Sequence, residues 1–89
     1  MPDAVLNQKR YLIYVWGPNC GLCRNMTPMI DKLSQQRNDI AKIDVSQYPD
    51  AAKSIGVLGT PAIVLIENNI VQKVSLDVKT ESDIMQLLE

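Results

Sequence analysis

The 89-residue sequence predicts an α/β fold of the order β-α-β-α-β-β-α, with a four-stranded mixed sheet flanked by helices. Short apolar runs rich in β-branched residues alternate with segments in which apolar residues recur at helical spacing. The last two runs are joined by a two-residue turn, which predicts an antiparallel pair of strands. Residues 1–89 are too few to bury two separate cores, so we expect a single domain.

The first half of the chain predicts a strand, a helix, a second strand and a short helix. Arg10 to Trp16 is apolar and aromatic without polar alternation, as in a strand covered on both faces. From Cys23 to Leu33 the apolar residues fall on one face of a helix. Ile40 to Val45 is the second predicted strand, and a helix from Pro49 to Ile55 is closed by Gly56. Strand, helix and strand imply a right-handed parallel crossover.

The second half predicts a hairpin and a final helix. Ala62 to Glu67 is a buried-strand run, and Ile70 to Leu76 returns as its partner. The turn between them is Asn68-Asn69, because asparagine tolerates the positive φ that such turns need. Thr80 is placed to cap the last helix. The inward-facing residues of that helix are Ile84, Leu87 and Leu88.

Composition excludes several classes of function. The net charge is -1 and the basic residues are scattered, so we expect no nucleic-acid partner. The longest apolar run, Tyr11 to Trp16, is far shorter than the ~20 residues that span a bilayer. No membrane association is therefore expected, and because the first residues lack a secretory signal we expect a cytoplasmic protein. Histidine is absent, which removes histidine-based nucleophile chemistry and histidine metal sites.

The two cysteines, Cys20 and Cys23, lie at the join between the first strand and the first helix. Two thiolates alone do not complete a tetrahedral zinc site within one chain, so no metal is expected. A pair of small buried residues is the structural alternative. At this spacing the sulfurs can form a disulfide that closes a very small ring and adds little stability. The pair is therefore predicted to be redox-active.

The two cysteines are predicted to have different roles. Cys20 lies where unpaired N–H groups and the positive end of the helix dipole favour an anion. A change in its pKa from about 8.5 to about 7 requires only about 2 kcal/mol of local electrostatics. Cys20 is then the exposed nucleophile, and Cys23, one turn deeper, is the resolving sulfur.

Four further motifs accompany the cysteine pair in order. Trp16 stands four residues before the first cysteine, Pro28 stands five after the second, Lys42 opens Lys-Ile-Asp-Val, and Thr60-Pro61 precedes the third strand. With these motifs the sequence resembles the thioredoxin family over nearly its whole length. The resemblance implies a thioredoxin fold and a protein-disulfide reductase and electron carrier in cell redox homeostasis. It also implies a monomer without a bound cofactor, which a flavoprotein disulfide reductase re-reduces.

The resemblance implies roles for individual residues. A cis Thr60-Pro61 bond would lie beside the cysteines, where the backbone of Thr60 pairs with an extended substrate segment. Trp16 would either belong to the core or form a wall of this substrate-binding site. Pro28 removes a hydrogen bond from the middle of the first helix and predicts a kink. Lys42 would lie beneath the site and support it.

The sequence departs from the family pattern at several positions. Tyr14 occupies the position of the family's buried aspartate, so the proton at Cys23 must move through water, the Tyr14 hydroxyl or the departing thiolate. Asn19 replaces the family's tryptophan before the first cysteine, and Gly21-Leu22 replaces Gly-Pro, so the reduction potential is not carried over. Asp77 stands where many members have glycine, and its carboxylate would repel a thiolate and acidic partners.

Three alternatives stay open on the sequence alone. A glutaredoxin-like, glutathione-dependent reductase fits Tyr14 and the short front of the chain, but Cys-Pro-Tyr-Cys and the Gly-Gly-x-x-Asp that grips glutathione are missing. Two chains could share a metal or iron–sulfur centre through their cysteines. A redox-silent interaction domain is the third alternative, which the intact cysteine pair disfavours. The thioredoxin-like oxidoreductase is the prediction carried forward.

Overall fold

The computed structural model describes residues 8–76 and 80–88, and over these it confirms the predicted order of strands and helices. The first and third strands have the bounds predicted from the sequence, while the second and fourth strands and the short helix each end one residue earlier. The elements are β1 Arg10–Trp16, α1 Cys23–Gln36, β2 Ile40–Asp44, α2 Pro49–Ser54, β3 Ala62–Glu67, β4 Ile70–Ser75 and α3 Glu81–Leu88.

The four strands form one mixed sheet in the order β2-β1-β3-β4. The pair β1 and β2 is parallel, as expected for strands joined through a helix, and the other two pairs are antiparallel. Strand β1 is central and its five interior residues are buried, which explains the lack of polar alternation in its sequence. The sheet thus places the carboxyl end of its central strand directly before the cysteine segment.

Helices cover both faces of the sheet, and β1 divides its side chains between two apolar layers. Leu12 and Tyr14 pack in the layer that contains α1 and Ile84 of α3. Ile13 and Val15 point to the other face, where Ala52 of α2 packs. The buried side chains that α1 contributes are Cys23, Met26, Ile30 and Leu33.

Turns and caps follow the predicted chemistry. Asn68 and Asn69 have φ of 55° and 64°, so both adopt the left-handed conformation of a tight hairpin turn. Gly56, with φ of 84°, follows the short helix α2. Thr80 Oγ1 accepts from the N–H of Asp83 at 3.1 Å, and Asp83 Oδ2 accepts from the N–H of Thr80 at 3.2 Å. This reciprocal cap confirms the predicted start of α3 and adds Asp83, which the sequence analysis did not identify.

The second strand ends before its predicted last residue because the chain turns at Asp44. The carboxylate of Asp44 accepts from the N–H and the hydroxyl of Ser46, and its carbonyl accepts from the N–H of Tyr48. These bonds direct the backbone away from the ladder and towards α2. Within the described residues no helix is long and apolar enough to cross a membrane.

Candidate active site

The segment from Gly17 to Leu22 carries the chain from β1 into α1 through consecutive tight turns. The N–H of Cys20 donates to the carbonyl of Gly17, and the N–H of Arg24 donates to the carbonyl of Gly21, both at 3.3 Å. Leu22 precedes the first helical residue and provides no side-chain cap. The turns place both cysteines at the end of the central strand and at the opening of the helix.

Cys20 and Cys23 form a disulfide, with their Cα atoms 5.3 Å apart. The predicted bonding reach between the two sulfurs is therefore confirmed. Cys23 is only 3% exposed, whereas Cys20, which precedes the helix rather than lying in its first turn, is half-buried. Interior packing thus accounts for Cys23 but not for Cys20, which a partner molecule can reach.

The opening of α1 presents positive electrostatic potential to Cys20. The N–H of Cys23 donates to Cys20 Sγ at 3.2 Å, so the sulfur occupies the place of a side-chain cap. The first turn of the helix contains no acidic residue and carries the exposed Arg24. The N–H of Cys23, the lack of acidic residues in the first turn and the cation of Arg24 all favour a negative charge on the sulfur of Cys20.

Tyr14 lies beneath the first turns of α1, in the position that the resemblance implied. Its side chain is fully buried on β1, and its hydroxyl is 3.0 Å from Thr27 Oγ1. The same hydroxyl is 3.5 Å from the carbonyl oxygen of Cys23, a longer contact than the one with Thr27. Burial raises the pKa of Tyr14 above its ordinary value of 10.0, against the opposing effects of Thr27 and Lys42. The phenol therefore stays protonated at neutral pH.

Lys42 is the cross-strand neighbour of Tyr14, and its partner is a carboxylate on α1. Its Nζ lies 2.5 Å from Asp31 Oδ1, and both side chains are partly exposed. Neither Asp31 nor Thr27 was predicted from the sequence to belong to the site. Their spacing could have indicated them, because Cys23, Thr27 and Asp31 follow one another at intervals of four residues and so lie along one side of a helix.

The Thr60-Pro61 loop lies at the same end of the sheet as the cysteines. Its peptide bond is cis, as the resemblance implied. The loop precedes β3, whose first residue Ala62 pairs with Val15 near the end of β1. A methyl group on Gly17 would lie 3.9 Å from Thr60 Oγ1, so the loop closely approaches the start of the cysteine segment.

A cleft of about 370 Å³ opens beside this loop. Thr60 lines it on one side and Val45, which follows β2, lines it on another. Leu58 also lines the cleft and is 92% exposed. The remaining lining residues are Pro49, Ala52, Val57 and Gly59.

The other predicted site residues have distinct surroundings. Trp16 is half-buried at the end of β1 and packs against the apolar layer that contains Tyr14. Pro28 lies inside α1, as predicted, with its ring exposed; the predicted kink stays a prediction. Asn19 is exposed beside Cys20. Asp77 lies outside the residues that the structure describes.

The site contains a half-buried cysteine bonded to a buried one, at the opening of a helix that follows a central strand and near the Thr60-Pro61 loop. This arrangement defines a thiol-disulfide oxidoreductase with the thioredoxin fold. The model of the family described as Thioredoxin matches residues 2–89, and the chain belongs to that family.

Individual relatives agree with the family model. A thioredoxin of Bacillus subtilis is 29% identical over 76 residues, which cover 82% of this chain and 73% of the relative. A bifunctional thioredoxin reductase/thioredoxin of Mycobacterium leprae is 31% identical over 73% of this chain and 15% of its own length. A solved mutant thioredoxin from Halobacterium salinarum matches with a TM-score of 0.78 and 25% identity, over 97% of this chain and 76% of that one.

Proposed function

We propose that Cys20 is the nucleophile and Cys23 the resolving cysteine in the reduction of protein disulfides. The unequal exposure of the two bonded sulfurs carries this assignment, because only the half-buried Cys20 can be approached by a second protein. The N–H of Cys23 and the acid-free opening of α1 support a thiolate on Cys20 after reduction.

The two cysteines supply both electrons that reduce the substrate, in two steps of thiol–disulfide exchange. The Cys20 thiolate attacks one sulfur of the substrate disulfide, a mixed disulfide forms, and the other substrate sulfur leaves as a thiolate. Cys23 then loses its proton and attacks the sulfur of Cys20, which releases the second substrate thiolate. Two electrons have passed to the substrate, and the protein is left with the Cys20–Cys23 disulfide seen in the structure. The cysteines carry the electrons, so the proposed reaction uses no bound cofactor or metal.

The substrate segment is proposed to lie along the Thr60-Pro61 loop. The backbone of Thr60 is placed to pair with an extended chain, and Pro61 and Trp16 complete the substrate-binding site. The neighbouring cleft and the exposed Leu58 support an apolar contact with the substrate next to its cysteine. Tyr14 and Lys42 are proposed as supporting residues that hold α1 and its cysteines against the sheet, and Pro28 is proposed to support the site by bending α1.

The electron donor is proposed to be a flavoprotein disulfide reductase. Two relatives support this choice by their names, a bifunctional thioredoxin reductase/thioredoxin and an NADPH-dependent thioredoxin reductase 3 of Arabidopsis thaliana. We further propose that residues 1–89 act as a single thioredoxin-like domain and as a monomer in the cytoplasm, with no nucleic-acid or membrane partner.

Turnover of a protein disulfide, with insulin as the probe and NADPH and thioredoxin reductase as the donor, tests the assignment. Cys20→Ser is expected to abolish turnover, and Cys23→Ser is expected to stop it at a mixed disulfide that mass spectrometry detects. Alkylation of reduced Cys20 should show a midpoint below the ordinary thiol value of about 8.5. Turnover that survives Cys20→Ser would refute the proposed roles. Turnover driven by glutathione but not by the reductase would favour the glutaredoxin-like alternative.

A further inference from the structure

Polar side chains form a row between Cys23 and the solvent in the interface of α1 with the sheet. Cys23, Thr27 and Asp31 are spaced by four residues on the helix, and Tyr14 and Lys42 are direct cross-strand neighbours on β1 and β2. Hydrogen bonds join the two sides of this interface at Tyr14–Thr27 and at Lys42–Asp31. The row begins at a buried sulfur and ends at a partly exposed ion pair.

The Tyr14–Thr27 contact links buried and accessible surroundings. Tyr14 is fully buried, whereas Thr27 is half-buried and can contact water. The oxygens are 3.0 Å apart, and either one can be the donor, so the direction of the hydrogen bond can reverse. The Tyr14 hydroxyl also lies near the carbonyl of Cys23, which places the phenol at the level of the resolving cysteine.

Cys23 needs a route for its proton because its side chain is buried. It is nearly inaccessible to water, and the side chains that face Tyr14 from β3 and α3 are the apolar Ile63 and Ile84. Among the described residues, the charged groups that act on Tyr14 are Lys42 and Asp31, which have opposite signs and pair with each other. The position at which the family resemblance implies a carboxylate is occupied by the phenol itself.

We infer that the proton of Cys23 leaves through the hydroxyls of Tyr14 and Thr27 when this cysteine resolves the mixed disulfide. The inference rests on the proposed role of Cys23. The S–H bond of Cys23 breaks and its proton passes to the Tyr14 oxygen, while the proton of Tyr14 passes to Thr27 Oγ1 and the proton of Thr27 passes to water. Each hydroxyl ends with one proton, and the Cys23 thiolate is free to attack Cys20.

Tyr14 suits this role as a relay rather than as a final acceptor. Because burial raises its pKa, a stable phenolate does not form at neutral pH, and the hydroxyl exchanges one proton for another. Asp31 and Lys42 are positioning residues in this scheme, since they join α1 to β2 one turn beyond Thr27.

The test isolates the resolving step. Reduced protein is mixed with one equivalent of the disulfide 5,5′-dithiobis(2-nitrobenzoate), so that attack by Cys20 releases one coloured thiol and leaves the other bound to Cys20. Release of that second coloured thiol by Cys23 is then followed in the same single turnover. Tyr14→Phe and Thr27→Val are each expected to slow this release about tenfold at pH 7, as expected for the loss of a positioned proton-transfer group. In mixtures of light and heavy water, a plot of the wild-type release rate against the deuterium fraction should be curved. The curvature should be lost in both variants.

Matched variants separate proton transfer from packing. Tyr11→Phe makes the same chemical change on the same strand but in the other apolar layer, and it should leave release unchanged. Thr27→Ser keeps the hydroxyl and should restore the rate lost in Thr27→Val. Alkylation of Cys20 should be unaffected in all four variants, because the first step does not use this route.

The inference is overturned if Tyr14→Phe and Thr27→Val release the second coloured thiol at the wild-type rate, or if Thr27→Ser is as slow as Thr27→Val. It is also overturned if both steps slow equally, which would indicate a general loss of packing. These outcomes are distinct from failure of the proposed function, in which Cys20→Ser would retain turnover.

Discussion

The backbone N–H of Cys23 donates to the sulfur of Cys20 at 3.2 Å, so the proposed resolving cysteine also contacts the proposed nucleophile through its main chain. The sulfur receives this bond at the opening of a helix that has no other side-chain cap. In the proposed mechanism the N–H of Cys23 favours the negative charge on Cys20 during attack on the substrate. The sulfur of Cys23 then forms the covalent bond with Cys20 that releases the substrate.

Arg24→Glu should raise the pKa of Cys20. The substitution replaces the cation in the first turn of α1 with a carboxylate, which disfavours a nearby thiolate. The rate of Cys20 alkylation at pH 7 is expected to fall several-fold, and the difference should shrink at about 1 M salt, where charges are screened within a few ångströms. An acidic residue near a helix N-terminus does not weaken the helix, so stability should not fall. Equal alkylation rates in Arg24→Gln and Arg24→Glu would contradict this electrostatic account.

Reduction of the Cys20–Cys23 disulfide should leave the protein folded. The bond encloses a very short loop, for which the chain-entropy model gives about 2 kcal/mol of stabilisation at most. Urea denaturation of the oxidised and reduced forms measures the difference directly. The double variant Cys20→Ser with Cys23→Ser serves as the control and should resemble the reduced protein. Complete unfolding on reduction would show that the disulfide is a structural crosslink.

Tyr14 should make stability depend on alkaline pH. Its pKa is higher in the folded protein than in the unfolded chain, because burial disfavours the phenolate. Its contribution is therefore fully present below about pH 10 and is lost as the pH rises through the folded-state pKa. Tyr14→Phe should remove this part of the alkaline decline in the free energy of unfolding, while the exposed Tyr48→Phe should not. Parallel pH profiles for wild type and Tyr14→Phe would rule out the effect.

Gly17→Ala should disturb the junction between β1 and the Thr60 loop. A methyl group at this position would lie 3.2 Å from Val45 Cγ2, closer than ordinary packing allows. We expect a loss of about 1 kcal/mol of stability from overpacking, measured by urea denaturation. The stability lost through Gly17→Ala should be smaller in a Val45→Ala background than in the wild-type protein. Gly21→Ala is the control, because a methyl group there meets no atom within 4 Å.

Local patterns were sufficient to predict most of the fold. The bounds of β1 and β3 follow from uninterrupted apolar runs, and the hairpin follows from two adjacent asparagines whose positive φ the structure confirms. The ends of β2, β4 and α2 were each placed one residue too late. For β2, side-chain hydrogen bonds of Asp44 decide where the ladder stops. The irregularity in the β3–β4 pairing at Leu65 and Ile66 has no signature that the sequence analysis detected.

The sequence by itself determined where the chemistry of this protein lies, because histidine is absent and the three-residue spacing of Cys20 and Cys23 favours dithiol exchange. Only the tertiary structure decided which groups surround those sulfurs. Tyr14 meets Thr27, 13 residues away in the chain, and Lys42 meets Asp31, 11 residues away. Such contacts depend on the register of β1 with β2 and on the rotation of α1 over the sheet, which no local spacing specifies.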